Sequence, residues 1–252
     1  MRRNKEIKRT AAVVKNERAH MIGANMNFAA SEAYKLLRTN LTFSFSDSDN
    51  CRIIGMTSSF SGEGKSLTSI NLAYTLAETG KKVLLIEGDM RLPTMAGRLG
   101  LQPSPGLSNL IVGMSGIRDV LQVYKVQEEG KNTVSFHVLV SGAIPPNPSE
   151  LLGSKRMSTF LKSLRAAYDY VILDLPPVTV VTDAVLASKL VDGMVVVVRN
   201  NRAVRGALAE TIRQLRLVDA RILGFVFNGA TESGGSYYKG KKYYKQNYYY
   251  KK

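Results

Sequence analysis

Six short apolar runs, separated by stretches of helical periodicity, restrict the fold of this chain more than any other feature. The runs are Ile53–Met56, Val83–Ile86, Phe136–Val140, Val171–Leu173, Met194–Val198 and Ile222–Phe227. Helical periodicity appears between them, as in Ser66–Glu78, Lys155–Ala167 and Ala203–Val218. Strands that are apolar throughout belong to parallel sheets covered on both faces. The pattern predicts a doubly wound α/β domain with a mostly parallel sheet, whose ligands bind at the carboxyl ends of the strands.

The regions on either side of this pattern differ from it, so we divide the chain into three parts. Residues 1–30 show mixed polarity and are predicted to form a basic arm, and residues 31–230 form the α/β domain. A helix is predicted over residues 31–43, with Ser31 as a candidate N-cap. Residues 231–252 begin with a Gly/Ser-rich linker and continue without any aliphatic residue, which predicts a flexible, disordered tail.

Positive charge is concentrated at the two ends of the chain. The whole chain has 35 Lys and Arg against 20 Asp and Glu, a net charge of +15. Residues 1–20 hold seven basic and two acidic side chains, and residues 237–252 hold six lysines and no acid. Basic ends suit nucleic acid, an anionic membrane surface or an acidic partner, and they also serve solubility.

Several classes of protein are excluded by the sequence. No 18 consecutive residues are apolar, which predicts that no helix crosses a membrane. The basic start is not followed by an apolar region, so no signal peptide is predicted. The single cysteine, Cys51, excludes a disulfide framework and is expected to pack in the core. These observations together predict a cytoplasmic protein.

A glycine-rich segment follows the first predicted strand and precedes a predicted helix. It reads SFSGEGKS from Ser59 to Ser66 and matches G-x-x-x-x-G-K-[ST], except that Ser59 replaces the first glycine. Gly62 and Gly64 allow backbone N–H groups to surround a phosphate chain, and the Lys65 ammonium reaches the β- and γ-phosphates. The Ser66 hydroxyl is a candidate ligand of Mg²⁺. The segment therefore predicts a nucleotide phosphate site.

Carboxylates follow two of the predicted strands, at the sheet edge where the glycine-rich loop also lies. Glu87 and Asp89 follow the second strand, and Asp174 follows Val171–Leu173. Asp174 is expected to hold Mg²⁺ through water. Arg91, two residues beyond Asp89, is expected to bind a phosphate or a carboxylate, or else to form a surface ion pair. Asp183 and the loop 141–148 are candidates for lining the same site.

Over about residues 30–252 the chain resembles the bacterial tyrosine kinases of capsular and exopolysaccharide synthesis. That family has a Walker A loop, here Ser59–Ser66, and a Walker A′ motif of three apolar residues and D-x-D-x-R, here LLI and EGDMR. Its Walker B motif of three apolar residues and D-x-x-P is here VIL and DLPP, and a tyrosine-rich end follows. Glu87 replaces the first Asp of Walker A′. Phe60 stands where division-site and plasmid-partition ATPases carry a signature lysine.

The resemblance implies an ATP- and Mg²⁺-dependent protein-tyrosine kinase. The implied nucleotide-binding residues are Ser61, Gly62, Glu63, Gly64, Lys65, Ser66, Leu67 and, at the adenine, Asn228. The implied Mg²⁺ residues are Ser66, Asp89 and Asp174, and the implied catalytic residues are Lys65, Asp89, Glu87 and Asp174. A tyrosine hydroxyl has a pKa near 10 and needs a positioned base at neutral pH. Asp89 and Glu87 are both candidates for that base.

The C-terminal tail is the implied substrate of this kinase. Seven of the twelve tyrosines lie in residues 237–252 and are the candidate acceptors: Tyr237, Tyr238, Tyr243, Tyr244, Tyr248, Tyr249 and Tyr250. Alternating Lys and Tyr also suit nucleic-acid binding through phosphate contacts and base stacking. The second hypothesis is therefore a partition- or division-site-like ATPase whose basic tail binds DNA or membrane. A nucleotide-gated scaffold without enzymatic activity is the third.

The resemblance also implies partners. The family forms rings through an E-x-x-R-x-x-R helix, which corresponds here to Glu32, Lys35 and Arg38, with Lys35 in place of the first Arg. A separate membrane-embedded adaptor of the polysaccharide co-polymerase type is expected to activate the kinase and hold it at the inner face of the membrane. A protein-tyrosine phosphatase is expected to reverse the modification. The alternative for the three helix residues is a solvated stripe.

Overall fold

Seven strands form one sheet in the computed structural model, which describes residues 23, 26–45, 51–127, 133–200 and 204–229. The strands are β1 (Arg52–Ser58), β2 (Val83–Glu87), β3 (Gln122–Val126), β4 (Val134–Leu139), β5 (Tyr170–Asp174), β6 (Gly193–Arg199) and β7 (Ile222–Asn228). Their order is β3-β4-β2-β5-β1-β6-β7, and only β3 is antiparallel to its neighbour. The predicted mostly parallel sheet is confirmed.

The six apolar runs predicted as strands correspond to β1, β2, β4, β5, β6 and β7, with Val140 lying one residue beyond β4. The edge strand β3 was not predicted. Its sequence QVYKV alternates between half-buried and exposed residues, so it has no continuous apolar run. An antiparallel edge strand keeps one face in solvent, which is why polar residues are tolerated there.

Nine helices lie within the described residues. They are α1 (Phe28–Phe43), α2 (Lys65–Ala77), α3 (Met95–Leu99), α4 (Leu107–Val112), α5 (Ile117–Val120), α6 (Pro148–Leu152), α7 (Lys155–Leu164), α8 (Asp183–Ser188) and α9 (Arg205–Arg216). The candidate N-cap Ser31 is wrong, because α1 begins three residues earlier. The Asn27 side chain caps it by accepting a hydrogen bond from the Ala30 N–H at 2.8 Å.

The helices cover both faces of the sheet. Alternate residues of β2 belong to different cores, Leu84 and Ile86 to one and Val83 and Leu85 to the other. The first core packs against apolar residues of α4 to α9, and the second packs against α1, α2 and α3. Burial on both faces explains why these strands contain no polar alternation. No helix in the described ranges is long and apolar enough to cross a membrane.

Candidate nucleotide and phosphoryl-transfer site

The glycine-rich loop joins β1 to α2 and directs the start of α2 toward the carboxyl edge of the sheet. Gly64 immediately precedes the helix with φ +91°, and Gly62 has φ +83°, a left-handed region that favours glycine. A Cβ at Gly64 would also lie 1.8 Å from the Asn228 Nδ2. Ser59, in place of the first motif glycine, is buried, and its Oγ accepts a hydrogen bond from the Thr211 hydroxyl of α9 at 3.0 Å. The Ser59 side chain therefore connects the loop to α9, a contact that a glycine at this position could not make.

Lys65 lies between two carboxylates that come from different strands. Its Nζ is 2.9 Å from the Asp174 Oδ1, 3.7 Å from the Asp89 Oδ2 and 3.3 Å from the Ser66 Oγ. The Lys65 side chain is 8% exposed and that of Asp174 is 1% exposed. The Ser69 hydroxyl of α2 donates to the same Asp174 Oδ1 at 3.1 Å. The structure thus brings the predicted lysine and two predicted carboxylates into one buried group.

The two oxygens of the Asp174 carboxylate differ in their hydrogen bonds to the described residues. Its Oδ2 is buried and unpaired among the described residues, although such atoms usually have a partner. Mg²⁺ is commonly held by one or two carboxylates together with substrate phosphates, rather than by a cage of protein ligands. The described residues contain no cluster of three or more acidic, His or Cys side chains suited to a metal. The free oxygen of Asp174, with Asp89 and the Ser66 hydroxyl nearby, fits a metal of that kind.

Asp89 and Glu87 occupy different environments despite being two residues apart. The Asp89 Oδ1 accepts the Leu92 N–H at 3.2 Å, and its other oxygen faces Lys65. Burial raises the pKa of Asp89, while the Lys65 charge acts in the opposite direction. In Glu87, one oxygen accepts the N–H groups of Thr94 and Met95 at 2.6 and 2.7 Å. The second oxygen accepts a third backbone N–H, at 3.1 Å.

The three hydrogen bonds of Glu87 connect β2 to the start of α3 and to Ser141, two residues after β4. Burial raises the pKa of Glu87, and its backbone hydrogen bonds oppose that effect. Because both carboxylate oxygens are occupied by backbone donors, Glu87 acts as an anchor of the loop after β2. The longer side chain that replaces Asp at this position reaches those donors.

Asn228 and Arg199, which end β7 and β6, both contact the glycine-rich loop. The Asn228 Nδ2 donates to the Glu63 carbonyl oxygen at 3.0 Å, and an Arg199 Nη donates to the Gly62 carbonyl oxygen at 3.0 Å. The Glu63 carboxylate is buried and accepts the Phe60 N–H at 2.9 Å. These contacts hold the outer side of the loop from two neighbouring strands. The internal role of the Glu63 side chain was missed from the sequence, where it is one of four variable positions.

Arg91 binds a carboxylate, which decides among the alternatives that the sequence left open. Its Nε and one Nη donate to the two oxygens of Asp183 at 2.9 and 3.0 Å. The same Nη donates to the Ser149 Oγ at 2.9 Å, and the Ser149 hydroxyl donates to Asp183 at 2.6 Å. The Asp183 side chain is fully buried. The hydrogen-bonded Asp183 raises the pKa of Arg91 above its ordinary value.

The predicted interface residues of α1 have partners within the chain. Lys35 Nζ is 2.9 Å from the Glu32 Oε1 on the same helix, and an Arg38 Nη donates to the Thr75 carbonyl oxygen of α2 at 2.7 Å. Arg38 is also 3.8 Å from the Glu78 carboxylate. Glu32 and Lys35 therefore share a solvent-accessible face, whereas Arg38 also joins α1 to the helix of the glycine-rich loop.

Two remaining side chains are located away from this group, and the acceptor tyrosines lie outside the described residues. His137 on β4 has its Nδ1 2.7 Å from the Tyr168 hydroxyl, and burial lowers its pKa. Cys51 is buried, and burial raises its pKa to about 11. A protonated thiol packed in the core agrees with the expectation for Cys51, and His137 has a structural role through its contact with Tyr168. Neither residue contacts the Lys65 group.

A parallel sheet whose first strand leads into a glycine-lined loop and a buried lysine defines a P-loop nucleotide-binding protein. Comparison with known proteins agrees, since the family model for an AAA domain matches residues 51–223. The tyrosine-protein kinase YwqD of Bacillus subtilis is 37% identical over 82% of this chain and 84% of the relative. The tyrosine-protein kinase CpsD of Streptococcus agalactiae is 32% identical over 82% and 86%.

A solved structure, the BceF tyrosine kinase domain, is 34% identical and covers 90% of each chain with a TM-score of 0.75. The chain belongs to the bacterial tyrosine kinases of capsular and exopolysaccharide synthesis. It is a protein-tyrosine kinase. The resemblance stated from the Walker motifs and the tyrosine-rich end is therefore confirmed.

Proposed function

We propose that this kinase transfers the γ-phosphoryl group of ATP to the tyrosines of its own C-terminal segment, between subunits, and thereby regulates polysaccharide synthesis and export. The observation that carries the proposal is the buried Lys65 ammonium between Asp174 and Asp89 at the start of α2. Phosphoryl transfer needs positioning and charge neutralisation more than covalent help from the protein. A buried cation beside carboxylates at the mouth of a phosphate loop supplies both.

The loop and Lys65 bind the phosphate chain in this proposal. Backbone N–H groups of residues 61–67, together with the N-terminal end of α2, attract the anionic phosphates. Lys65 exchanges its contacts with Asp174 and Asp89 for contacts with the β- and γ-phosphates, since its Nζ already lies within 4 Å of both carboxylates. Asn228, whose amide donates to the Glu63 carbonyl oxygen of the loop, is proposed to contact the adenine.

Mg²⁺ fits the unpaired Asp174 oxygen, with the Ser66 hydroxyl as a further holder. A metal held by these residues would supply positive charge that offsets the negative charge developing on the phosphates. Removal of Mg²⁺ is therefore expected to abolish phosphoryl transfer. The protein part of the site leaves Asp174 Oδ2 available for this purpose, because Ser69 and Lys65 both bond to the other oxygen.

Asp89 is the proposed base for the incoming tyrosine. The tyrosine oxygen bonds to the γ-phosphorus, the bond from phosphorus to the oxygen bridging the β- and γ-phosphates breaks, ADP leaves, and the phenolic proton passes to Asp89. Glu87 is less suited to this role, since both of its oxygens accept backbone N–H groups. We therefore assign Glu87 to anchoring the loop that carries Asp89.

The length of the C-terminal segment supports transfer to a neighbouring subunit. A flexible chain of about twenty residues, which the sequence predicts beyond Asn228, would span roughly 25 Å. Each phosphate would add about −1.5 to −2 charges at pH 7, so several phosphorylations reverse the positive charge of the six lysines. Such a reversal would release contacts that the basic segment makes with acidic groups.

Assembly completes the proposal. Glu32, Lys35 and Arg38 of α1 are proposed to join subunits into a ring, for which Glu32 and Lys35 lie on an accessible face. A membrane-embedded adaptor of the polysaccharide co-polymerase type is proposed to activate the kinase at the inner face of the membrane, and a protein-tyrosine phosphatase to reverse the modification. Nucleic acid is not proposed as a partner.

Incubation of the full chain with labelled ATP and Mg²⁺ tests this function, with Lys65→Met as the key variant. We expect phosphotyrosine within residues 237–250, and we expect Lys65→Met to reduce its rate by at least about 100-fold because the phosphate charge loses its partner. Mixing Lys65→Met with a wild-type chain lacking residues 237–252 should restore labelling of the longer chain if transfer is intermolecular. Phosphate release without labelled tyrosine would contradict the proposal and favour the partition-like ATPase.

A further inference from the structure

The residues that follow Asp89 have few buried apolar side chains to fix their position. Residues 91–94 are all exposed, and the Leu92 side chain is 69% exposed. The near side is well fixed, because the Gly88 N–H donates to the Asp174 carbonyl oxygen at 2.8 Å and Met90 is fully buried in the core. The far side therefore depends on polar contacts for its position.

Those polar contacts come from two places in the fold. Glu87 accepts the Thr94 N–H, at the end of the exposed stretch. Arg91, at its beginning, is held by both oxygens of Asp183 and by the Ser149 hydroxyl. We name Arg91, Asp183 and Ser149 the arginine clamp. Bidentate Arg–carboxylate pairs fix direction as well as distance, which a single ion contact does not.

The clamp is connected to the Asp89 carboxylate through the backbone that follows Arg91. Leu92 directly follows Arg91, and its N–H donates to the Asp89 Oδ1 at 3.2 Å. The other oxygen of Asp89 is the one that faces Lys65 at 3.7 Å. A shift of Arg91 would move the Leu92 N–H and so rotate the carboxylate that faces the phosphate site.

Burial makes the clamp rigid. The Asp183 side chain is fully buried at the first residue of α8, while Arg91 is 40% exposed. The Ser149 hydroxyl donates to the same carboxylate from α6. A fully buried carboxylate that lost its arginine would be left uncompensated, so the pair has a strong preference for staying closed.

We propose that Asp183 and Ser149 are positioning residues for phosphoryl transfer, which act by holding Arg91 so that the Leu92 N–H orients the Asp89 carboxylate. The inference rests on the proposed role of Asp89. It assigns a function in the kinase reaction to two residues that belong to none of the three Walker motifs. Neither of them contacts Lys65 in the structure.

The test compares Asp183→Asn with Asp192→Asn in the full chain. Asp192 is the control because it also pairs with an arginine, Arg165, through both oxygens, but at the opposite edge of the sheet and with a partly exposed side chain. We expect Asp183→Asn to lower kcat for tyrosine phosphorylation about tenfold to 100-fold, as a misplaced catalytic group does. KM for ATP should change by less than about threefold, because the glycine-rich loop is held by other residues. Asp192→Asn should leave both constants unchanged.

A second measurement needs neither nucleotide nor activity. Hydrogen exchange of the free protein should show faster exchange of the backbone amides in residues 88–94 of Asp183→Asn, by about tenfold, and no change there in Asp192→Asn. If Asp183→Asn fails to fold, Arg91→Lys tests the same clamp. It alters a half-exposed side chain, retains the charge and loses the bidentate geometry.

Three outcomes separate the clamp from the role of Asp89. A kcat of Asp183→Asn or Arg91→Lys within about twofold of wild type would overturn the clamp. Unchanged exchange in residues 88–94 would also overturn it. Asp89→Asn is the reference variant: if it keeps wild-type kcat, the role of Asp89 is wrong even where the exchange data support the clamp.

Discussion

An ion pair between a basic residue and an aspartate lies at each edge of the sheet, and the two pairs differ in how deeply they are buried. At the carboxyl edge, Lys65 meets Asp174 with side chains that are 8% and 1% exposed. At the amino edge, Arg165 meets Asp192 with side chains that are 39% and 29% exposed. Both pairs connect elements far apart in sequence. The hydrogen bonds around each pair indicate whether it stabilises the fold or takes part in the reaction.

The amino-edge pair has its hydrogen bonds completed by the protein. An Arg165 Nη donates to the Cys51 carbonyl oxygen at 2.8 Å, and the Asp192 Oδ2 accepts the Ile53 N–H at 2.7 Å. At the carboxyl edge, by contrast, the Asp174 Oδ2 is buried without a partner among the described residues. Charges that are buried and incompletely paired raise the free energy of the folded state. The unpaired oxygen of Asp174 therefore raises the free energy of the folded state at the carboxyl edge, and no such group is found at the amino-edge pair. This difference identifies the carboxyl edge as the functional one.

The largest effect is expected from Gly64→Ala, which breaks the carboxyl edge. A Cβ there would overlap the Asn228 amide at 1.8 Å, and the residue has φ +91°. We expect kcat/KM for ATP to fall by at least about 100-fold, because the phosphate loop is displaced. Gly80→Ala is the matched control, with φ +79° and no atom within 4 Å of its Cβ. Steady-state kinetics should show a normal Gly80→Ala enzyme, and an equal loss in both variants would show that backbone strain alone is responsible.

An intermediate effect is expected from Asp192→Asn, which breaks the amino edge. A partly exposed ion pair contributes about 1 kcal/mol or less to the free energy of unfolding, which lowers Tm by about 2–4 °C in a domain of this size. The kinase rate at 25 °C should remain that of wild type. Thermal unfolding followed by circular dichroism gives the Tm. A loss of kinase rate in a variant with unchanged Tm would contradict the division of roles between the edges.

The smallest effect is expected from His137, which lies outside both ion pairs and changes the free energy of unfolding only as the pH falls. Burial lowers the pKa of His137 from 6.5, so the folded state disfavours the proton that the unfolded chain takes up. Its contribution to the free energy of unfolding is fully present above pH 6.5 and is lost as pH falls through the folded pKa. Urea unfolding of wild type and His137→Gln at pH 7.5 and 5.5 measures this contribution. The variant should lose less stability over that interval than wild type, and equal losses would exclude His137 as the cause.

Local sequence determined most of the sheet. β1, β2, β4, β5, β6 and β7 were predicted because a strand buried on both faces is apolar at every position. β3 was missed because it is half exposed and alternates like many loops. The start of α1 was misplaced because Ser and Asn are both favourable N-cap residues. In the structure the Asn27 side chain is the one that caps the helix, by accepting the Ala30 N–H.

The candidate site also has residues that the sequence predicted and contacts that it did not. The glycine-rich loop, Lys65, Asp89 and Asp174 were predicted, because residues at the carboxyl ends of parallel strands converge on one edge. The two expected alternatives for Arg91 remained open at that stage, since Asp183 is 92 positions away in the sequence. The anchoring role of Glu87 was also hidden, because its partners are the backbone N–H groups of Thr94 and Met95 at the start of α3 and of Ser141, two residues after β4.

The sequence by itself determined the class of fold, the phosphate loop and the kinase family, because each is encoded in short runs of residues with a fixed spacing. Tertiary structure alone decided which carboxylate pairs with which cation, and which oxygen stays free. Those choices depend on distances between side chains from separate strands, and on how far each is removed from water. Spacing along one chain does not contain that information.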